Sequence, residues 1–189
     1  MGRPASGPKA KARAGLLAAV FVATPLTPAP AQDSLEMAVK ASYLAKFPPF
    51  VDWPPSVAPS ANFSICIVGR DPFGPLIDRA VAGQSVAGQA LTVERLKTVA
   101  AQSSCRIAFI GGSRLQPVKD ALRALRGAPV LTVTDAADTP GIIDFAVAQG
   151  RVRFRVDDRA AADDGLTISS KLLGLALSVI PRPGSEGAR

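Results

Sequence analysis

Apolar and polar positions along the chain follow two periods, and each period predicts one kind of element. Short, almost continuous apolar runs predict buried strands, and a shorter alternating run predicts one more; they lie at 63–68, 105–110, 130–133 and 91–95. Apolar residues at helical spacing predict helices between them, at 33–47, 71–81 and 115–125. Because continuous apolar strands separated by helices are typical of parallel sheets covered on both faces, the pattern predicts a three-layer α/β domain.

The pattern changes toward the C-terminus. Two alternating runs, at 142–147 and 152–156, surround a Gln-Gly turn and predict an antiparallel hairpin. A short helix is predicted at 157–164. Apolar residues at 172, 173, 176 and 179 predict a final amphipathic helix that begins near Ser169. The sequence therefore predicts a single three-layer α/β domain with a largely parallel central sheet flanked by helices, followed by a C-terminal antiparallel hairpin and helix.

The first 31 residues have the organisation of an export signal. Residues 1–13 carry four Arg or Lys and no acid, an apolar run follows at 14–23, and small residues stand at 29 and 31, where a signal peptidase cleaves. The apolar run is too short to span a bilayer core of roughly 30 Å. A periplasmic protein is therefore predicted, the alternative being a membrane anchor that stays attached. The predicted segments are a cleaved signal peptide at 1–31, a domain at 32–180 and a frayed tail at 181–189.

Composition excludes several classes of function. Without the four cations of residues 1–13, 18 Lys and Arg face 15 Asp and Glu, a balance too weak and dispersed to predict nucleic-acid binding. The absence of histidine removes Ser-His and Cys-His nucleophilic sites and His-ligated metals. Asp163 and Asp164 are interpreted as solvated carboxylates rather than an acid–base pair. We predict no enzyme, no metal and no cofactor.

Two cysteines, Cys66 and Cys105, lie in the part of the chain that is predicted to be exported. In an oxidising compartment an even pair of cysteines predicts a disulfide. The alternative is two unpaired thiols that pack as small hydrophobes. Because the two residues are 39 positions apart, a crosslink is expected to stabilise the fold by about 4 kcal/mol.

Arg151, Arg153 and Arg155 alternate with apolar residues in the second strand of the predicted hairpin. On a strand, this alternation places three guanidinium groups on one face and the apolar side chains on the core. One interpretation is a solvated edge strand whose charges prevent aggregation; the other is a basic stripe that binds an acidic partner surface. Ser169 and Lys171 are further candidate partner contacts, although a capped helix start also explains their segment.

A parallel sheet offers a crevice at the carboxyl ends of its strands. Here Arg70, Asp71, Ser113 and Asp135 follow three of the predicted strands. These four residues are candidate contacts for a small molecule. A periplasmic small-molecule receptor is therefore the alternative function.

Several segments, in order along the chain, resemble YfiR-like periplasmic proteins. Among them are Phe-Val-Asp-Trp-Pro at 50–54, Cys-Arg-Ile-Ala-Phe-Ile at 105–110 and Gly-Arg-Val-Arg-Phe at 150–154. The remaining matching segments lie at 41–44, 46–47, 66–74, 129–135 and 165–173. Together they cover nearly all of the chain after the predicted signal peptide.

This resemblance implies a small periplasmic α/β protein, often dimeric, with a regulatory role. Characterised members of the family repress an inner-membrane diguanylate cyclase by binding its periplasmic sensor domain, which lowers cyclic-di-GMP and restrains biofilm formation. An outer-membrane lipoprotein can sequester such a repressor. For this chain the resemblance implies a repressor of a diguanylate cyclase or of a related sensor kinase.

The resemblance also concerns the cysteines and the basic stripe. Cys66 and Cys105 match one disulfide of the family, whereas its second disulfide has no counterpart in a chain with two cysteines. A structural crosslink is therefore expected rather than a redox sensor. Arg155 stands where an acidic residue is common, so the resemblance implies that the stripe is particular to this protein.

Overall fold

The structure is a computed structural model that describes residues 1–2, 30–57 and 60–184. Most of the predicted signal peptide, 3–29, lies outside the described residues, and so does the end of the predicted tail, 185–189. Within the described ranges, no helix combines the length and the apolar character that a membrane crossing requires.

The described residues form five α-helices, one 3₁₀ turn and ten strands. The helices are α1 Pro30–Lys46, α2 Pro75–Val81, α3 Val118–Leu125, α4 Asp158–Asp163 and α5 Ser170–Leu175, with the 3₁₀ turn at Pro48–Phe50. The strands are β1 Val51–Asp52, β2 Asn62–Gly69, β3 Ser85–Val86, β4 Gln89–Leu96, β5 Ile107–Gly112, β6 Leu131–Thr134, β7 Ile143–Ala148, β8 Arg151–Asp157, β9 Thr167–Ile168 and β10 Val179–Ile180.

Eight of the strands form one sheet in the order β10-β8-β7-β6-β5-β2-β4-β3. The run from β4 through β2, β5 and β6 to β7 is parallel, and β7 and β8 form an antiparallel hairpin. The predicted largely parallel sheet with a C-terminal hairpin is confirmed. The remaining pair, β1 and β9, forms a separate antiparallel ribbon that joins the segment after α1 to the segment before α5.

Apolar side chains cover both faces of the sheet, as the continuous strands predict. On one face α1 and α2 pack over β2, β5 and β7 and contribute Leu44, Phe47 and Ile77 to the larger cluster. On the other face α3 contributes Ala121 and Leu125 to a smaller cluster. We call these the α1 face and the α3 face.

The disulfide between Cys66 and Cys105 is confirmed. Cys66 points from β2 into the α3-face cluster, and Cys105 ends the loop that leads into β5. Their Cα atoms are 5.6 Å apart, a separation that a disulfide spans without displacing the backbone. The crosslink therefore ties two neighbouring strands of the central sheet at the point where β5 begins.

Several helix boundaries differ from prediction, among them the start of α3 at Val118 rather than at position 115. Helix α1 begins at Pro30, so Asp33 lies in its first turn instead of capping it. Helix α2 begins at Pro75 rather than after Asp71, because Asp71 Oδ1 accepts the N–H groups of Phe73 and Gly74 and holds a separate turn. The expected continuation of α5 to Val179 is wrong, since the chain after Leu175 becomes extended and pairs with β8.

Candidate functional site

The three arginines of β8 share one face of that strand. Across the hairpin Arg151 pairs with Ala148 and Arg153 pairs with Ala146, so small side chains leave room for the two guanidinium groups above β7. Both arginines are exposed, whereas the intervening Phe154 is buried on the α1 face. The alternation therefore has the geometry that the sequence predicts.

Register relationships identify the face on which these arginines lie. Residues paired in register point to the same side of a sheet, and Ala108, which packs under α3, is paired with Thr132. Thr134 points to the same side as Thr132, because it lies two residues further along the same strand. Thr134 is paired with Asp144, which in turn is paired with Arg155. The arginines therefore lie on the α3 face. Since α3 packs on β5, the part of this face that belongs to β7 and β8 carries partly exposed alanines and exposed arginines.

We define the arginine face as Ala146, Ala148, Arg151, Arg153 and Arg155. Its third arginine has a structural partner, because Arg155 Nη1 donates to Asp144 Oδ2 at 2.9 Å and the Asp144 side chain is 4% exposed. Asp144 Oδ1 also accepts from Thr134 Oγ1. Arg155 thus balances a buried carboxylate, and the positive charge that this face offers to a partner comes from Arg151 and Arg153.

Further contacts fix the border of the arginine face. A guanidinium N–H of Arg153 donates to the Leu175 carbonyl at 3.4 Å, which ties β8 to the end of α5. Ser169 is the N-cap of α5, because its side chain accepts from Leu172 N–H and its own N–H donates to the Phe50 carbonyl. Lys171 is exposed on the first turn of α5. The structure thus gives Ser169 a capping role and leaves Lys171 accessible.

The four candidate crevice residues follow β2, β5 and β6 at one edge of the sheet. Asp71 forms an ion pair with Arg95, and Ser113 Oγ accepts from Gln116 N–H. Asp135 binds Lys40, while Arg70 is exposed. Three of the four side chains are therefore engaged with their own chain.

The strand ends at this edge lie very close together. Arg70 N–H donates to the Gly112 carbonyl, and a Cβ at Gly111 would lie 2.0 Å from the Arg70 carbonyl oxygen. A Cβ at Gly69 would lie 2.5 Å from the Gly112 oxygen. Backbone therefore fills the space between β2 and β5 at the point where a ligand would enter a crevice.

Lys40 is a buried charged residue that the sequence interpretation missed. Its side chain is 2% exposed and its Nζ lies 2.6 Å from Asp135 Oδ2, with Glu36 one helical turn earlier as a second partner. Lys40 is a charged residue outside the apolar positions at helical spacing in α1, and therefore resembles a surface lysine in the sequence. Its burial results from the approach of α1 to the end of β6, a contact across 95 positions.

Asp164, the C-cap of α4, is held by a main-chain contact. Asp164 Oδ1 accepts from Gly127 N–H, and burial raises the pKa of Asp164 above its ordinary value. Asp163 is exposed beside it in a cavity of about 460 Å³ between α3 and α4. Among the described residues, no group of three or more Cys, Asp or Glu side chains is arranged to hold a metal ion.

Comparison with known proteins identifies one family. A family model described as YfiR/HmsC-like matches residues 37–177, from the first half of α1 to the end of α5 and the two residues that follow. No protein with a curated description matches the chain.

Proposed function

Because the chain belongs to the YfiR/HmsC-like family, we propose that it binds the periplasmic sensor domain of an inner-membrane diguanylate cyclase, or of a related sensor kinase, and represses it. The family consists of regulatory proteins of the periplasm rather than enzymes. The observation that supports a particular binding surface is the arginine face. Its exposed Arg151 and Arg153 form no ion pair with the residues that the structure describes, and they lie opposite the small side chains of Ala148 and Ala146. Repression lowers cyclic-di-GMP.

The arginine face is suited to an acidic protein surface. Arginine donates two parallel hydrogen bonds to a carboxylate and is weakly hydrated, so it is common at protein interfaces. Ala146 and Ala148 allow close approach of a partner to β7. A second copy of the same face would be repelled, since like charges directly opposite each other are unfavourable; a homodimer would therefore use another surface.

Repression requires that binding favours one state of the sensor domain. A partner shifts a two-state equilibrium only by its difference in affinity for the two states, and each tenfold difference corresponds to about 1.4 kcal/mol. Loss of one charge-assisted contact is worth about this much or more. Contacts of Arg151 and Arg153 that form with only one state of the sensor domain would therefore be enough to shift the equilibrium toward that state. An outer-membrane lipoprotein that covered the same face would relieve it.

Site-specific photocrosslinking in the encoding bacterium tests the proposal. The full chain carries a photo-reactive phenylalanine analogue in place of Ala148, in the arginine face, or in place of the exposed Ala100 as a control. We expect a crosslink to an inner-membrane cyclase or kinase from position 148 and not from position 100. Absence of a membrane-protein adduct at position 148 contradicts the proposed contact.

Two charge-reversal variants distinguish an effect of the arginine face from an effect of net charge. Arg151→Glu with Arg153→Glu reverses the face, and Arg79→Glu with Lys97→Glu makes the same change of charge at two exposed residues of α2 and the loop after β4. We expect the first variant to lose at least about tenfold in affinity for the purified sensor domain, and the second to bind as the parent does. Equal affinity of both variants would support the alternative interpretation, in which the arginines of β8 are solvated and do not contact a partner.

A further inference from the structure

The end of the β7–β8 hairpin projects beyond the rest of the sheet. Among the described residues, pairing between β6 and β7 ends at Asp144, whereas pairing between β7 and β8 continues for four more residue pairs, as far as Ala148 with Arg151. At about 3.3 Å per residue, the hairpin therefore extends about 13 Å past the end of its pairing with β6. The outer neighbour β10 pairs with β8 near the opposite end of that strand. We call residues 146–153 the hairpin tip.

Helix α1 covers the base of this hairpin but leaves its tip accessible. Phe145 and Phe154 are paired across the hairpin, and both are buried beside the ring of Tyr43. The next pair on the same face, two residues further along each strand, is Val147 with Val152. Val147 is 55% exposed, and Val152 is partly exposed. The apolar face of the hairpin thus continues past the edge of its cover.

The two faces of the hairpin tip differ in chemistry. One carries Arg151 and Arg153, which are exposed and form no ion pair with the described residues, and the other carries Val147 and Val152. An exposed valine alone is ordinary. Here an apolar pair lies back to back with two free cations on a segment that a partner can reach from both sides. Because no acid occurs at 145–156, the tip of a second copy cannot supply carboxylates to these arginines.

A tight turn holds the hairpin tip. Gln149 and Gly150 connect the two strands with φ values of 52° and 69°, as the type I′ turn of a two-residue hairpin requires. The twist of such a turn matches the twist of the strands that it joins. An element that is ordered before binding loses little conformational entropy on association. The tip is therefore suited to enter a partner as a preformed unit.

We propose that the hairpin tip inserts into a cleft of the membrane partner's periplasmic sensor domain, one wall of which carries carboxylates while the other is apolar. The carboxylates accept from Arg151 and Arg153, and the apolar wall packs on Val147 and Val152. This inference rests on the proposed function, because it takes the same partner and the same arginine face and adds a second face and a concave shape. A flat acidic surface would contact the arginines alone and leave the valines in water.

Photocrosslinking from two adjacent residues on opposite faces tests the insertion. The full chain carries the photo-reactive phenylalanine analogue in place of Val147 or of Ala148, or in place of Ile180 as a control, which is 47% exposed and pairs with the opposite end of β8. We expect positions 147 and 148 to crosslink the same inner-membrane protein, and position 180 to crosslink none.

The remaining crosslinking outcomes separate this inference from the proposed function. A membrane-protein adduct at position 148 alone overturns the insertion and leaves the proposed function in place, because a flat surface then covers the arginines. Absence of a membrane-protein adduct at position 148 contradicts both. A crosslink between two copies of this chain from position 147 also overturns the insertion, because the valine face would then be an interface between copies.

A lysine substitution distinguishes apolar contact from charge attraction. Val147→Lys adds a positive charge beside the arginines, and Ile180→Lys adds the same charge at the control position. A flat acidic surface would bind Val147→Lys as tightly as the parent or more tightly, whereas an apolar wall would have to desolvate the added ammonium group.

We expect Val147→Lys to bind the purified sensor domain at least about tenfold more weakly than the parent, and Ile180→Lys to bind as the parent does. Parental or higher affinity in Val147→Lys overturns the insertion, and so does an equal loss in both variants, which would be a general effect of charge. If Val147→Lys fails to fold, the crosslinks at positions 147 and 148 decide.

Discussion

Buried charges in this protein are paired with partners from distant parts of the sequence. Asp144 is paired with Arg155, Asp158 accepts two hydrogen bonds from Arg182, and Lys40 is bound by carboxylates of α1 and of the loop after β6. A buried charge that loses its partner is costly, so each pair fixes the position of an element. The hydrogen bonds from Arg182 to Asp158 hold the beginning of the predicted frayed tail against α4.

Replacement of Lys40 is expected to lower the free energy of unfolding more than replacement of the exposed Lys46 on the same helix. Lys40→Met keeps the volume and apolar stem but leaves Asp135 and Glu36 without their cation; since both carboxylates are about a third exposed, water compensates part of the loss. We expect the free energy of unfolding to fall by roughly 1–2 kcal/mol in urea denaturation. Lys46→Met, at an exposed position, is the control and should stay within about 0.5 kcal/mol of the parent.

Arg95 controls the titration of Asp78. The hydrogen bond from Arg95 lowers the pKa of Asp78 below its ordinary value of 3.8. Because the folded-state pKa is depressed, the stabilisation by this pair is present above pH 3.8 and is lost as the pH falls through the folded-state value. In Arg95→Gln we expect the pKa of Asp78, followed by NMR of its carboxyl carbon, to rise toward 3.8; an unchanged pKa would show that Arg95 is not the cause.

Sequence reasoning reached some of these residues and missed others for a physical reason. Once the hairpin turn is placed, register alone pairs position 144 with position 155, so the Asp144–Arg155 pair was predictable from the alternation. Lys40 was not, because its partner lies across 95 positions and helical spacing does not reveal which surface lysine becomes covered.

At the scale of elements, close backbone contact between the ends of β2 and β5 leaves no room for a side chain at Gly111. A methyl group at Gly111 would meet the Arg70 carbonyl oxygen, which is backbone and cannot rotate away. We expect Gly111→Ala to lower the free energy of unfolding by about 2–3 kcal/mol in urea denaturation. Parental stability in this variant would show that the two strand ends are further apart than described.

Gly174 provides the matched control for that substitution. It lies inside α5, and a Cβ there would have no neighbour within 4 Å. Because glycine in a helix interior is less favourable than alanine, Gly174→Ala should raise the free energy of unfolding by about 0.5–1 kcal/mol. A loss of stability at both glycines would indicate a general effect of the substitution rather than the strand contact.

Long elements were predictable and short ones were not. Six strands of the sheet follow from apolar runs or alternation, because a run of several residues carries a period. The strands β1, β3, β9 and β10 have two residues each, too few for any period. Strands β1, β9 and β10 form because tertiary contacts bring their partners alongside, whereas β3 pairs with β4 across a two-residue turn. The same explanation applies to α5, whose apolar spacing extends past Leu175 while pairing with β8 requires an extended chain there.

For the whole molecule, the disulfide is the strongest single constraint outside the apolar core. Cys66→Ala with Cys105→Ala removes a crosslink between residues 39 positions apart, and we expect the free energy of unfolding to fall by about 4 kcal/mol. Dithiothreitol should destabilise the parent by a similar amount and leave the double variant unchanged. Equal stability of parent and variant would mean that the parent carries free thiols.

The family assignment, the fold and the crosslink make one consistent picture of a regulatory protein. The chain matches the YfiR/HmsC-like model over residues 37–177, and the arginine face is the basic surface on which we propose that a partner binds. The identity of that partner does not follow from any period or motif in the sequence, since a binding surface is defined by complementarity to another molecule. The effect of the protein on signalling in the cell is therefore the decisive measurement.

The most direct test is the cellular level of cyclic-di-GMP. The gene is deleted in the bacterium that encodes it, and the strain is complemented with the parental chain, with Arg151→Glu and Arg153→Glu, or with Arg79→Glu and Lys97→Glu. We predict that deletion raises cyclic-di-GMP, that the parental chain and the Arg79/Lys97 variant restore the low level, and that the Arg151/Arg153 variant does not. An unchanged cyclic-di-GMP level after deletion would contradict the proposed repression of a diguanylate cyclase.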